Sequence, residues 1–330
     1  MSTEHPFAQY IRTLGKGKKG QRSLTQDQAR AAMDMIIQEK IEPCQLGAFL
    51  MLMRVKEETP EEVAGFVESI RSSIKKPNKL PNVSVDWSSY AGKRRQLPWF
   101  VMSAILLGQN GIPVFMHGTM REDERLYAPQ ALQALGIHLC SSLEEAGGQI
   151  EKTGFAYLSI ENLSPLVHEM INLRSVLGLR SPLHTIARML NPFNAGLLMQ
   201  GIFHPGYAVI HQQAASLLNQ KQAAVFKGEG GEIECDPDKD TIVYGLNAGN
   251  SFKEQWPAYF SGNKHLKDET MDLHRFRDVW EGKASDEYGE AAVITTAAIA
   301  LKNMGKVCSQ KEALDLAGNW WLNRAKSLAA

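Results

Sequence analysis

At 330 residues the chain can bury a sizeable core as one large domain or two, and its 44% hydrophobic and 22% charged residues are ordinary for a globular protein. The formal net charge is zero, from 36 basic and 36 acidic side chains, which excludes a uniformly basic nucleic-acid-binding domain and leaves local charge clusters to carry any such role. No apolar run approaches the roughly 20 residues of a membrane-spanning helix, and Met1-Ser2-Thr3-Glu4-His5 lacks the basic-then-apolar pattern of a signal peptide, so a cytoplasmic protein without membrane contact is expected.

Residues 1 to about 80 read as all-helical. Between Ile11 and Arg22 lie five cations (Arg12, Lys16, Lys18, Lys19 and Arg22) and no acid. Thr25-Gln26-Asp27-Gln28 is a capping-box pattern, followed by Ala29, Ala32, Met33, Ile36 and Ile37 at helical spacing. Leu46 to Met53 reads as a short buried helix. Thr59-Pro60-Glu61-Glu62 is a stronger start signal, with Val63, Phe66, Ile70 and Ile74 as its stripe. Pro77 and Pro81 close the segment as a linker.

From about residue 82 the pattern alternates between strand and helix. Val83 to Asp86 reads as a strand, Leu97 to Leu107 as a helix, and between them lies the turn Ser89-Tyr90-Ala91-Gly92-Lys93-Arg94-Arg95-Gln96. A glycine-bearing strand-to-helix turn presents backbone N–H groups and a helix dipole to an anion. This one carries three consecutive cations and no carboxylate, so it suits phosphate and lacks a ligand for Mg²⁺. Further strands are expected at Ile112–Met116, ending in His117-Gly118, at Phe155–Leu158, at Leu197–Phe203, ending in His204-Pro205-Gly206, and at Ala223–Phe226. Pro129 to Leu135, Tyr207 to Leu218 and Gly289 to Met304 read as helices. The alternation predicts an α/β domain over 82–330, with a central, mainly parallel sheet. The helical stretch Leu163 to Leu190 is too long for a minimal crossover, and a return segment, 163–192, is expected to pack on the N-terminal helices.

Cys44, Cys140, Cys235 and Cys308 are far apart and form no CxxC; they read as reduced thiols, mostly core-packed. His117 and His204 sit at strand ends without a partner at metal-ligand spacing, so structural hydrogen bonding is expected for both and no metal site is expected. Trp99, Trp320 and Trp321 could stack on bases, but burial is the stronger expectation. No helix-turn-helix, zinc-finger or RNP signature is present, which leaves sequence-specific base readout without support.

The order of motifs carries a resemblance. A helical N-terminal region precedes a Gly-bearing turn and a strand ending in His117-Gly118. Then follow Arg174-Ser175-Val176-Leu177-Gly178-Leu179-Arg180, Leu190-Asn191-Pro192, an Ile202-Phe203-His204-Pro205 strand end and Gly230-Gly231-Glu232-Ile233. Over almost its whole length the chain resembles anthranilate phosphoribosyltransferase, a glycosyltransferase family 3 enzyme of nucleoside phosphorylase-like fold. More narrowly it is similar to the YbiB-type branch, known for sequence-independent DNA binding in place of the transferase reaction.

The resemblance implies a small helical domain (1–80 with 163–192), an α/β domain, and a homodimer formed through the helical domain. It also exposes departures. The family's Gly-Thr-Gly-Gly-Asp loop corresponds to Tyr90, Ala91, Gly92, Lys93 and Arg94, with one glycine kept and the acid turned cation. Its Lys-His-Gly-Asn-Arg reads Met116-His117-Gly118-Thr119-Met120, with Arg121 adjacent. Its Asn-x-Ser-Thr aligns with Phe100-Val101-Met102-Ser103. Its metal-holding Asp-Glu pair aligns with Gly231-Glu232, and its acceptor-site arginine with Arg174.

Phosphoribosyl transfer needs close backbone approach to the leaving diphosphate and Mg²⁺ to neutralise it. Tyr90 restricts that approach, and a magnesium ligand is gone. The resemblance therefore implies no anthranilate phosphoribosyltransferase activity, no cofactor and no catalytic residue, with His117 and Glu232 vestigial. The expected function is sequence-independent binding of DNA or another nucleic acid in a basic groove. Its contacts would be Lys16, Lys18, Lys19, Arg22, Lys93, Arg94, Arg95, Arg121, Arg174 and Arg180. The rival reading is a phosphoribosyl transferase acting on anthranilate or another acceptor, with Mg²⁺. A third is a regulatory protein that binds a small phosphorylated ligand.

Overall fold

Thr25 and Thr59 each open a helix by accepting from the backbone N–H three residues on, Gln28 and Glu62, whose side chains return the bond to the capping residue. The two helices, Gln26–Ile37 and Pro60–Ser73, cross closely because Gly65 presents no side chain at the contact. A Cβ there would lie 2.2 Å from the Gln26 carbonyl oxygen. In an open helix, Gly-to-Ala gains up to about 1 kcal/mol. Here the clash outweighs that gain, and Gly65→Ala is expected to destabilise the protein by about 1–3 kcal/mol. A urea midpoint for Gly65→Ala at or above the wild-type value would contradict this.

The computed structural model describes residues 4–17, 19–121, 123–262 and 265–328. Helices Ala8–Gly15 and Pro43–Lys56 complete the N-terminal helical region. The latter was expected to be buried over 46–53. In fact Phe49, Leu50 and Met53 are buried, while Ala48 and Val55 are exposed and Leu46, Met51 and Leu52 lie between.

A seven-stranded sheet forms the second layer: β1 Val85–Ser89, β2 Val114–Gly118, β3 Phe155–Ser159, β4 Leu197–Ile202, β5 Gln222–Lys227, β6 Thr241–Asn247 and β7 Asn250–Trp256. The order is β3-β2-β1-β4-β5-β6-β7. The first five strands are parallel and the β6–β7 pair runs antiparallel at one edge. Sequence reading missed that hairpin, although Ala248-Gly249, both at positive φ, make the two-residue turn that joins it. It also missed helices Leu143–Thr153 and Leu273–Glu281.

Residue alternation sends Val85, Trp87, Val114, Met116, Leu197 and Met199 to one face, where they meet helices Phe100–Gln109, Glu287–Asn303 and Gln310–Leu322. Phe115, Ala156, Leu158, Leu198 and Ala223 take the other face, beneath the helical region. Residues 160–189 run back to that region as five short helical pieces, and Val167, Met170, Leu183 and Ile186 join its core. Arg71 bonds the carbonyls of Met189 and Leu190, which ties the two segments together.

Trp99 and Trp321 are buried, so neither is open to a base. Cys140 and Cys235 are buried, whereas Cys44 and Cys308 are exposed, and all four are free thiols. No helix among the described residues is long and apolar enough to cross a membrane.

Candidate functional site

The turn after β1 does form a cradle of backbone donors, and the protein fills that cradle itself. Gly92 sits at φ +67°, which aims the Ala91 and Gly92 N–H groups to one side. Both donate to Glu232 Oε1 at 2.6 Å. The Phe100 N–H, at the start of the following helix, donates to Glu234 Oε2 at 2.9 Å. Glu232 and Glu234 are buried. Burial pushes the carboxyl of Glu234 up to about 7, and burial likewise raises Glu232 against the pull of the Gly92 N–H and Arg188. Glu232 is thus a structural anion in this fold rather than a residue without a task.

Lys93, expected to face phosphate, is fully buried, and its ammonium lies between the carboxylates of Glu229 and Glu234. Burial alone would lower its pKa, but those two carboxylates more than offset the penalty and hold it above the ordinary lysine value. It belongs to an internal ion cluster and is removed from the candidate interface. Only its neighbours Arg94 and Arg95 are exposed.

Tyr90 is buried as well. Its hydroxyl meets His117 Nδ1 at 2.7 Å, and His117 Nε2 meets Asp86 Oδ1 at 3.1 Å. His117 has the structural role expected of it. His204 does not: it is exposed and lines the main cavity.

That cavity, about 530 Å³, opens at the C-terminal end of β4 between the two layers. Arg180, His184 and Arg188 form one wall, and Arg54, which reaches the Tyr207 hydroxyl at 3.3 Å, stands on the other with Glu57 and Glu58. Arg121 donates to His184 at 3.1 Å and also lines, with Arg174, an adjoining hollow of about 370 Å³. Arg125 bonds the Ala91 carbonyl, and the Arg188 guanidinium lies 5.6 Å over the Tyr90 ring. Burial, then the fields of Arg174, Arg125, Arg188 and Arg121, hold the Arg180 guanidinium down at about 10. Five like charges within mutual reach are a strong anion attractant.

The structure therefore brings Arg121, Arg174 and Arg180 together and adds Arg125 and Arg188, which sequence reading passed over. Arg125 follows the acid-rich run Glu122-Asp123-Glu124, which hides its charge in the sequence. Arg188 had a signal in its i,i+4 spacing from His184. Arg180 lies beyond the helix Arg174–Leu177 that was expected to contain it, because Gly178 ends that helix at φ +73°.

Lys16, Lys19 and Arg22 are exposed on the loop after helix Ala8–Gly15. Lys56 donates to Ser23, and the Leu24 N–H donates to Glu62, which anchors the loop near the end of helix Pro43–Lys56 that carries Arg54. Lys18 lies outside the described residues. Arg95 faces a different hollow, about 430 Å³, shared with Asp236, Asp238 and Asp240. Among the described residues none of Lys16, Lys19, Arg22, Arg94, Arg95, Arg121, Arg174 and Arg180 makes an ion pair.

Two histidines at the cavity are held neutral. Burial, reinforced by Arg188, lowers His211 to about 3, and burial with Arg188, Arg180 and Arg121 lowers His184 to about 3. A histidine whose folded pKa is depressed contributes its full stability above the unfolded value near 6.5 and loses it as pH falls toward 3. Glu234, raised to about 7, titrates in the opposite sense, so the wild-type profile alone mixes the two. The difference between wild type and His211→Gln isolates the histidine. Any stability advantage of the wild type should shrink by about 1.4 kcal/mol per pH unit between pH 6.5 and 4.5, read by urea denaturation. A difference that stays constant with pH would refute the assignment.

Comparison with known proteins agrees with this architecture. Residues 8–74 match the helical bundle domain of a glycosyl transferase family, and residues 99–321 match its α/β domain. The chain belongs to this glycosyl transferase family. The anthranilate phosphoribosyltransferase of Dictyoglomus thermophilum is 27% identical over 319 residues, 93% of each chain. The Escherichia coli K12 protein YbiB is 25% identical over 237 residues, 71% of this chain and 74% of YbiB. The anthranilate phosphoribosyltransferase of Saccharomyces cerevisiae in complex with PRPP and Mg shares the fold, with a TM-score of 0.77 at 15% identity over 97% of this chain and 94% of the yeast protein.

The turn after β1 offers a poor ligand set for Mg²⁺, with Glu232 Oε2 its one uncommitted carboxylate oxygen among the described residues. Position 231 is glycine, Glu232 accepts two backbone N–H bonds, and Glu234 is committed to Lys93 and Phe100. Among the described residues no group of three His, Cys, Asp or Glu could hold a metal.

Proposed function

We propose that this protein binds nucleic acid without regard to sequence, along the arginine-lined cleft between its helical and α/β layers. The observation that carries the reading is the cluster Arg121, Arg125, Arg174, Arg180 and Arg188, gathered at a cleft whose inner anion cradle is already filled by carboxylates. Clustered arginines attract phosphate, and with no base-reading motif beside them they favour contact with the backbone of a polymer. Lys16, Lys19 and Arg22, on the loop anchored near the helix that carries Arg54, would extend the cationic surface, while Arg94 and Arg95 stand exposed away from it.

The transferase reading requires the turn after β1 to receive a diphosphate with Mg²⁺, and the donors it needs there are taken by Glu232 and Glu234. A homodimer through the helical layer is part of the proposal. Its support is the exposed apolar surface at Val55 and Val176, next to half-buried Met51 and Leu177. Two clefts on one dimer would raise avidity for a long strand.

The test is fluorescence anisotropy of a labelled homopolymer and a mixed-sequence oligonucleotide across a salt series. Equal affinities are expected, with a log–log salt slope of about 0.9 per phosphate contacted on duplex DNA. Absence of binding at low salt would refute the reading.

A further inference from the structure

The filled cradle is a built feature. Glu232 is 1% exposed, and its Oε1 accepts from the Ala91 and Gly92 N–H groups of the turn. The segment that carries it is closely packed. A Cβ on Gly228 would lie 1.5 Å from the Glu232 carbonyl oxygen, and one on Gly201 would lie 2.4 Å from the Glu232 carbonyl carbon. Gly201 therefore lets the segment lie against the end of β4, and Gly228 lets the turn after β5 fold back on itself. Lys93 clamps it from both sides, through Glu229 and Glu234.

We propose that the Glu232 carboxyl is a built-in occupant of the turn after β1, standing where a phosphate oxygen would sit, so that it closes the inner cradle to small phosphorylated ligands. An incoming phosphate would have to displace a carboxylate from two charge-assisted bonds and remain beside its negative charge. Glu229 and Glu234 are neutralised by Lys93, so Arg121, Arg174 and Arg180 are left free of the cradle, whereas Arg188 lies within the field of Glu232. The inference concerns the inner cradle alone and holds whether or not a polymer binds outside.

The probe is inorganic pyrophosphate, titrated into ¹⁵N-labelled protein while the Ala91 and Gly92 amide resonances are followed. In the wild type these two amides should not move, even if the arginines of the cleft respond. In Glu232→Ala they should shift saturably, with an affinity at least about tenfold above that of the wild type. Glu232→Gln, which keeps an acceptor but loses the charge, should show a smaller gain.

Saturable shifts of Ala91 and Gly92 in the wild type would overturn the proposal. So would a folded Glu232→Ala in which they stay fixed. If Glu232→Ala does not fold, Glu232→Gln decides: a gain over wild type supports the closed cradle and no gain refutes it. Oligonucleotide affinity of the wild type is a separate readout, so failure of polymer binding would appear there alone.

Discussion

Replacing Arg121, Arg174 and Arg180 together by glutamate should lower oligonucleotide affinity about 500-fold at 0.1 M salt, equally for all sequences. The magnitude follows from counterion release. Each phosphate contact contributes about 0.9 log units per decade of salt, so three contribute about 2.7, and the two proteins converge near 1 M. The salt slope itself should drop by about three contacts. Stability should not suffer, because the crowding of Arg180 by Arg174, Arg125, Arg188 and Arg121 is a like-charge cost that the substitutions relieve. Thermal melting of the variant provides that control. A folded triple variant that retained wild-type affinity would show that the polymer lies elsewhere. Arg94→Glu/Arg95→Glu is the comparison, and a larger loss from that pair would move the groove toward the hollow shared with Asp236 and Asp238.

Lys93→Met should cost about 3–5 kcal/mol, the largest stability effect expected of any single surface-like charge in the sequence. The side chain is fully buried between Glu229 and Glu234, so its removal leaves one wholly buried and one mostly buried carboxylate without a counter-charge. Lys93→Met combined with Glu234→Gln should recover part of the loss. The amide still accepts from the Phe100 N–H and carries no charge to strand. Urea midpoints of the single and double variants measure both effects. A single variant within about 1 kcal/mol of wild type would mean that the cluster is solvated or protonated in solution. The result also bears on the interface, since a charge reversal at Lys93 would abolish binding by unfolding the protein.

Local chemistry made the helical starts legible. Thr25 and Thr59 announce their own caps within four residues, and the strand ends at Gly118 and Ile202 follow short apolar runs bounded by Gly and Pro. The return of residues 163–192 to the helical layer could be inferred because that stretch is helical and far longer than a crossover requires. The resemblance to glycosyltransferase family 3 supplied the order of the layers.

The direction of Lys93 was not legible. Lys93, Arg94 and Arg95 are equivalent in local sequence, and the residue that turns inward is selected by Glu234, 141 positions away. For the same reason the cradle looked open: nothing near Ala91 and Gly92 in sequence says that a carboxylate from the turn after β5 will bond both. The hairpin of β6 and β7 was missed because Ala248-Gly249 is a weaker turn signal than Asn-Gly and because charged residues precede it. Arg125 and Arg188 were missed because their importance is collective and appears only when the loop 121–125 and the return segment 174–188 converge.

The return segment also sets a timetable. The first four helices leave the ribosome with their apolar stripes formed, yet Val167, Met170, Leu183 and Ile186, which complete that core, are encoded about a hundred codons later. The Arg71 guanidinium has no carbonyls to bind until Met189 is made, 118 residues downstream. At translation rates of about 5–20 residues per second the nascent helices wait about 6–24 s for their cover. Through that interval β1, β2 and β3 are already being synthesised, so sheet pairing begins before the helical layer is closed. The layer that comes first in the gene is the one that is finished late.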